Sequence, residues 1–357
     1  MNKNIWRCEC GGLLDLEFDA RFPLKEITKR KETLWRYREA LPVEDDANIV
    51  SFDEGFTPLI SVHFNQRNVL IKEDHLFPSG SFKDRGATVM VSKVKEIGVN
   101  RIVEDSSGNA GAALAAYAAR AHILCDIFVP DYTSEGKLVQ IRAYGVNLTK
   151  VKGSREDTSS EAMKFAAKYY YASHYWNPFF FHGTKTFSFE VCEQLGWKSP
   201  DTLILPVGNG SLLIGVYIGF QELMRENIIE KIPRFIGVQP ENCAPLACSF
   251  KKGLNTIIPI EKKPTIAEGI MIANPIRGVQ ILNIVRESNG DFIEVSEEEI
   301  IEALKEMIAM GFYIEPTSAA TIAGVKKYLP RSSSGEVIVS TFTGHGLKTT
   351  ETLSKIF

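Results

Sequence analysis

The sequence predicts an α/β protein made of two three-layer domains, each built on an open and largely parallel sheet. Short apolar runs alternate with helix-length segments from residue 101 onward, the links between runs are long enough for right-handed crossovers, and polar, glycine-bearing loops follow several of the runs. Open sheets of this kind bind ligands at the carboxyl ends of their strands, so those loops are the places to look for chemistry.

The elements follow in order. Residues 13–60 mix charges with scattered aromatics, carry a helix over 33–40 that stops near Pro42, and reach a turn at 54–59; residues 1–60 read as an N-terminal arm. A strand at 69–72 leads through a polar loop to a helix over 83–97. Beyond it the spacing predicts strands at 101–104, 123–129 and 146–151, with helices over 110–121, 135–144 and 160–171. A helix over 186–195, a buried strand at 201–207, a helix opening near Leu212 and strands at 236–238 and 337–341 complete the alternation. Ser296 and Glu299 form a capping-box start to a helix ending at Gly311. The aromatic stretches 169–171 and 175–181 read as core or subunit packing.

Composition narrows the function. A chain of 357 residues with 44% hydrophobic and 24% charged residues is an ordinary globular composition. A net charge of -3 without a long basic run gives no electrostatic footprint for nucleic acid or an anionic membrane surface. No uninterrupted apolar stretch has spanning length, and Met1-Asn2-Lys3-Asn4 leads straight into a polar segment, so a cytoplasmic protein without a leader is expected. The expected partner is a small molecule or a second copy. Six cysteines in a chain of this size are expected to stay reduced. Cys8 and Cys10 resemble half of a zinc knuckle, but no second close Cys/His pair follows; the expectation is a tight turn at Gly11-Gly12 and no metal.

Four loops carry residues suited to chemistry. Pro78-Ser79-Gly80-Ser81-Phe82-Lys83 brings one lysine to a helix start, and lysine suits Schiff-base chemistry once its surroundings lower its proton affinity. Ser106-Ser107-Gly108-Asn109-Ala110-Gly111 offers hydroxyls, an amide and backbone N–H groups to an oxyanion; the same residues also describe an ordinary N-cap with a glycine turn. Gly208-Asn209-Gly210-Ser211-Leu212 ends a strand and opens a helix, a place where successive N–H groups and the helix dipole hold a phosphate dianion, or where the chain simply turns. It is neither a Walker loop nor a dinucleotide fingerprint. Thr343 follows the last strand and offers a neutral hydroxyl to a ring nitrogen, beside His345, which is either a ligand or a loop histidine, and Glu315, which starts a helix. One lysine, one phosphate cup, one polar cradle and one neutral donor together point to pyridoxal 5'-phosphate.

These segments, with Glu315 to Ala320 and Thr343 to Lys348, resemble the signature segments of threonine synthase and its relatives in the tryptophan-synthase-β fold group, in family order and over almost the whole chain. The resemblance implies the tryptophan-synthase-β-like fold and an elimination or replacement on an amino-acid substrate, with O-phosphohomoserine turned into threonine as the first expectation. It implies that Lys83 carries the Schiff base and moves the α-proton, that Asn109 bonds the cofactor's ring oxygen, and that Gly208, Asn209, Gly210, Ser211 and Leu212 hold its phosphate. Thr343 would face the ring nitrogen, and Ser106, Ser107 and Ala110 would meet the substrate's carboxylate. It further implies a large cofactor-binding domain of residues 1–85 with 186–357, a small mobile domain of residues 86–185, the cofactor in the cleft between them, and a homodimer.

One segment departs from the family pattern. An arginine is expected shortly after an Asn-Pro pair, yet after Asn177-Pro178 this chain places Phe180, and an apolar ring cannot pair a substrate phosphate. Ala110 also stands where a threonine is common. Lys185, His182, Ser154 or Arg155 would have to supply the charge, and Lys185 is the substrate-binding candidate. The alternatives are therefore a serine or threonine ammonia-lyase, a β-replacement enzyme making a cysteine-like amino acid, or, outside catalysis, a cofactor-binding pseudoenzyme.

Overall fold

The computed structural model describes residues 6–64 and 67–357; residues 1–5, on which the leader-free reading partly rests, lie outside it. In chain order the strands are β1 (Leu59–Phe64), β2 (Arg67–Lys72), β3 (Arg101–Glu104), β4 (Leu124–Pro130), β5 (Asn147–Val151), β6 (Tyr170–Tyr171), β7 (Thr202–Pro206), β8 (Arg234–Pro240), β9 (Asp291–Val295) and β10 (Ile338–Thr341). The chain divides into two compact units, one gathering the residues up to Gly55 with Phe77–Thr186, the other Phe56–Leu76 with Phe187–Phe357.

The first unit holds a four-stranded parallel sheet in the order β5-β4-β3-β6. Ile102 and Val103 of β3 and Ile127 and Val129 of β4 are fully buried, as central parallel strands covered on both faces require. The helix Asn109–Arg120 carries seven alanines and packs in the same core as Met90, Val91 and Val94 of the helix Lys83–Glu96; small side chains let the two helices lie close. The arm, read from sequence with the larger domain, belongs by its packing to this unit. Leu34, Trp35 and Leu41 cluster with Val89, and Trp35 Nε1 donates to Thr88 Oγ1 at 3.0 Å.

The second unit holds a six-stranded sheet in the order β1-β2-β10-β7-β8-β9, parallel except for the antiparallel pair β1/β2. Its core includes Ile204, Val238, Val295 and the apolar face of the helices Glu297–Ala309 and Pro316–Tyr328. Ser296 and Glu299 form the expected reciprocal cap.

Several local expectations are corrected. The helix expected over 160–171 is Arg155–Phe165, because Ser154 and Asp157 cap each other five residues earlier; Tyr170–Tyr171 then becomes β6, where bulky aromatic residues suit a buried edge against β3. The segment 33–40 is a 3-10 helix, Leu34–Ala40, interrupted at Tyr37. An unforeseen helix, Pro178–Thr184, starts where the Asn177 side chain accepts from the Phe179 N–H at 3.1 Å and Pro178 takes the first turn. β1, β9 and the helix Gly278–Glu287 also lay outside the sequence reading. The aromatic stretch is core: Tyr170, Tyr171, Phe180 and Phe181 are all at most 2% exposed.

Candidate active site

In the first unit the loop before Lys83 is held by Asp84, whose carboxylate accepts from the Ser79 N–H at 2.8 Å and from the Ser79 hydroxyl, while Gly80 turns the chain at φ +83°. Gln140 Nε2 donates to the Ser79 carbonyl at 2.9 Å. Lys83 therefore opens its helix from a fixed turn, and its Nζ stands 4.6 Å from the Phe82 ring centre and 5.6 Å from that of Phe180. Phe180 is fully buried. Its ring fills the space beside the Gly86 α-carbon, where an added Cβ would come within 2.4 Å of it.

The loop after β3 folds tightly over the next helix: an added Cβ on Gly111 would meet the Ser106 carbonyl oxygen at 2.0 Å. Ser106 Oγ accepts from the Gly108 N–H at 3.3 Å, Asn109 is the first helical residue, and Ala110 is buried behind it. No side chain caps this helix start.

A buried charged cluster adjoins that loop and was not found from sequence. Glu104 ends β3 fully buried, and its Oε1 lies 2.8 Å from His174 Nδ1. Asp105 Oδ2 accepts from the Tyr175 hydroxyl at 2.9 Å and from Arg155 Nη2 at 3.5 Å, and Arg155 Nη1 also bonds the Asp105 carbonyl. Glu104 Oε2 and Asp105 Oδ1 are buried without a hydrogen-bond partner. Burial and the neighbouring Asp105 charge push the Glu104 carboxyl well above the usual range, while burial and the charges of Lys83 and Arg155 hold His174 well below its own. Glu104 and His174 are 70 positions apart and meet because β6 pairs with β3; no local signal announces them.

Lys185 is also in this unit, fully buried, with Nζ 2.9 Å from His182 Nδ1 and 4.8 Å from the Phe18 ring centre.

In the second unit the loop after β7 is fixed by Val207, whose N–H donates to the Val238 carbonyl at 2.9 Å and whose carbonyl accepts from Gln239 Nε2 at 3.1 Å. Gly208 presses against the segment 269–272; a Cβ there would lie 3.1 Å from the Ile270 α-carbon. Gly210 is the N-cap of the helix Ser211–Arg225 at φ +81° and has no side chain to place over the first turn. The result is a backbone cradle at the positive end of a fifteen-residue helix.

Thr343 is fully buried, and its Oγ1 donates to Glu315 Oε1 at 2.7 Å. Ser318 Oγ accepts from the Thr343 N–H at 2.8 Å and lies 3.1 Å from Thr343 Oγ1. Glu315 does not cap its own helix; its side chain is spent on Thr343. His345 is a loop histidine whose Nδ1 accepts from the Leu347 N–H at 3.2 Å.

The donor sets fit pyridoxal phosphate. Taken by itself, the second unit offers a phosphate the backbone of Gly208 and Gly210 at a helix start, where a Cβ would crowd Ile270 and Ile281, and it buries the Thr343 hydroxyl; the first unit, by itself, offers an aldehyde one lysine on a rigid turn. Residues 50–344 match the family described as pyridoxal-phosphate dependent enzyme, and the chain belongs to that family. Its cofactor is pyridoxal 5'-phosphate. Within the family it is threonine synthase-like: it is 39% identical to a threonine synthase of Methanocaldococcus jannaschii over 96% of this chain and 89% of that one. It is 34% identical to a threonine synthase of Methanosarcina acetivorans over 98% and 89% of the two chains. The fold also matches the solved structure of processed threonine deaminase isoform 2 from Solanum lycopersicum, with a TM-score of 0.73 at 20% identity over 99% of this chain and 96% of that one. Among the described residues no helix is long and apolar enough to cross a membrane, and no cluster of three or more His, Cys, Asp or Glu side chains is placed to hold a metal.

Proposed function

We propose that this enzyme converts O-phosphohomoserine and water into threonine and inorganic phosphate. The observation that carries the reading is the likeness to threonine synthases along nearly the full chain, with Lys83 on its fixed turn. Bound pyridoxal phosphate supplies an electron sink at the substrate's α-carbon. In this reading Lys83 takes and returns the α-proton through Nζ, and Ser106, Ser107 and Ala110 receive the substrate's carboxylate at the uncapped helix start. Asn109 bonds the cofactor's ring oxygen, Gly208, Asn209, Gly210, Ser211 and Leu212 hold its phosphate, and Thr343 meets its ring nitrogen. Lys185, engaged with His182, and Arg155, engaged with Asp105, are the candidates for the substrate's phosphate.

The reading also takes the enzyme as a cytoplasmic homodimer, tested by sedimentation and cell fractionation. Its smaller mobile domain is centred on residues 86–185, tested by hydrogen exchange with and without substrate.

Incubating the cofactor-loaded enzyme separately with O-phosphohomoserine, threonine, serine and O-phosphoserine tests the reaction. Equal amounts of phosphate and threonine from the first are expected. Keto acid and ammonia from threonine would establish instead a serine or threonine ammonia-lyase, the second reading, which the buried Phe180 at the expected arginine position favours. Borohydride should fix the cofactor on Lys83, and Lys83→Ala should abolish the fixation.

A further inference from the structure

Lys83 is one base, and the proposed reaction moves more than one proton. In O-phosphohomoserine the Cγ–O bond breaks and its electron pair leaves with phosphate. Cβ loses one hydrogen and gains hydroxyl from water, and Cγ gains one hydrogen. The proton lost from Cβ and the proton left by water together supply the one added at Cγ and the one taken by phosphate. While Lys83 holds the α-proton it cannot also accept the one from Cβ, which leaves room for a second group to carry the proton between Cβ and Cγ.

We propose that His174, held through Nδ1 by Glu104, is that second proton-transfer residue and works through Nε2. This rests on the threonine-forming reading. The geometry that supports it lies within one unit. Glu104 sits at the carboxyl end of the central strand β3, where parallel sheets present their ligands, and His174 follows the carboxyl end of the neighbouring strand β6. The 2.8 Å contact between Glu104 Oε1 and His174 Nδ1 fixes the ring and leaves Nε2 as the nitrogen able to meet another molecule. Phe180 ties the pair to Lys83: its ring centre is 6.0 Å from that of His174 and 5.6 Å from Lys83 Nζ.

A buried carboxyl and a buried imidazole in contact hold one proton between them more easily than they hold two charges. Glu104 resists losing its proton and His174 resists gaining one, so the pair stays neutral, and the contact of Oε1 with Nδ1 holds the ring in one tautomer. The charged and titratable groups that face the pair are Asp105 on the following loop, Arg155 at the start of the helix Arg155–Phe165, Lys83 on its own helix, Cys125 on β4 and Tyr171 on β6; Tyr175 closes the cluster through Asp105. With the Glu104 Oε2 and Asp105 Oδ1 atoms buried and unpartnered, the cluster has acceptor capacity that its own fold does not use.

The test uses cofactor-loaded enzyme with O-phosphohomoserine in heavy water. His174→Gln should keep the cofactor's absorbance, its borohydride fixation on Lys83 and exchange of the α-proton. Threonine formation should fall by about 100-fold or more, the range that a positioned acid-base group contributes. In cofactor-free protein, nitrogen NMR of the His174 ring, assigned by its loss in His174→Gln, should show one fixed tautomer across neutral pH, and Glu104→Gln should release it to a mixture. Threonine formation at the wild-type rate in His174→Gln would overturn the proposal. So would loss of α-proton exchange in step with turnover, or a mixed tautomer in the wild-type protein; this last readout also decides the matter if His174→Gln fails to fold. A wild-type enzyme that releases no phosphate from O-phosphohomoserine would instead overturn the threonine-forming reading, and the role of His174 with it.

Discussion

The ring of Phe180 fills the space beside the α-carbon of Gly86, so close that a Cβ on Gly86 would stand 2.4 Å from two ring atoms and 2.5 Å from a third. The helix Pro178–Thr184 lies against the helix of Lys83 on this contact, and an added Cβ on Gly183 would likewise meet the Arg85 carbonyl oxygen at 2.0 Å. The phenylalanine that stands where the family pattern expects arginine is therefore a core residue that sets how closely the two helices approach. Gly86→Ala should destabilise the protein by about 1–3 kcal/mol through overpacking, and Phe180→Ala by about 3–5 kcal/mol through a cavity. Urea unfolding of the double variant should show a loss smaller than the sum, because the new methyl enters the vacated space. Strict additivity would mean the two residues do not touch.

Lys72 and Glu190 form an ion pair of 2.8 Å with both side chains fully buried, and Lys72 Nζ also donates to Gln194 Oε1 at 2.8 Å. Removing one partner leaves a charge in the core. Glu190→Ala should cost roughly 3–5 kcal/mol, whereas replacing both by apolar residues of similar volume should cost far less. Denaturation midpoints of the single and double variants at equal slope would show this ordering.

Gly210 combines a φ of +81° with a position where a Cβ would lie 2.4 Å from Ile281 Cδ1. Gly210→Ala should strain the proposed phosphate cradle by about 1–3 kcal/mol and weaken cofactor binding by about tenfold or more. Fluorescence titration of the cofactor-free variant measures it; unchanged affinity would argue that the phosphate sits elsewhere.

His75 stacks on His345 with ring centres 5.8 Å apart, and burial together with the His345 charge holds it down at about 4, from an ordinary 6.5. The unfolded chain therefore binds this proton more readily than the folded one between those two values, and stability rises with pH across that window. It should be fully present above about 6.5 and decline as pH falls toward about 4, by on the order of 3 kcal/mol at about 1.4 kcal/mol per unit. Thermal unfolding of His75→Gln should lack this slope. An equal slope in the variant would assign it to other groups.

The fold class and the site-bearing loops were legible because each is written locally. Ile102-Val103 and Ile127-Phe128-Val129 are apolar enough to mark buried parallel strands, and a strand, a polar glycine turn and a helix start are contiguous at Lys83, at Ser106 to Gly111 and at Gly208 to Leu212. Element edges were less legible where neighbouring signals competed. The aromatic residues 170–171 read as the end of a helix until their pairing with Ile102 and Val103 made them a strand.

By itself, then, the sequence determined which short segments carry a lysine, a glycine-bearing turn at a helix start and a neutral hydroxyl, since those depend on residues adjacent in the chain. Tertiary structure alone decided that Glu104 meets His174, that Glu315 accepts a hydrogen bond from the Thr343 hydroxyl, and that Phe180 is packing against Gly86. The reason is physical: strand order, register and helix approach bring these distant residues within contact, and the same side chains at the same spacing in the chain would stay apart under any other pairing of the strands.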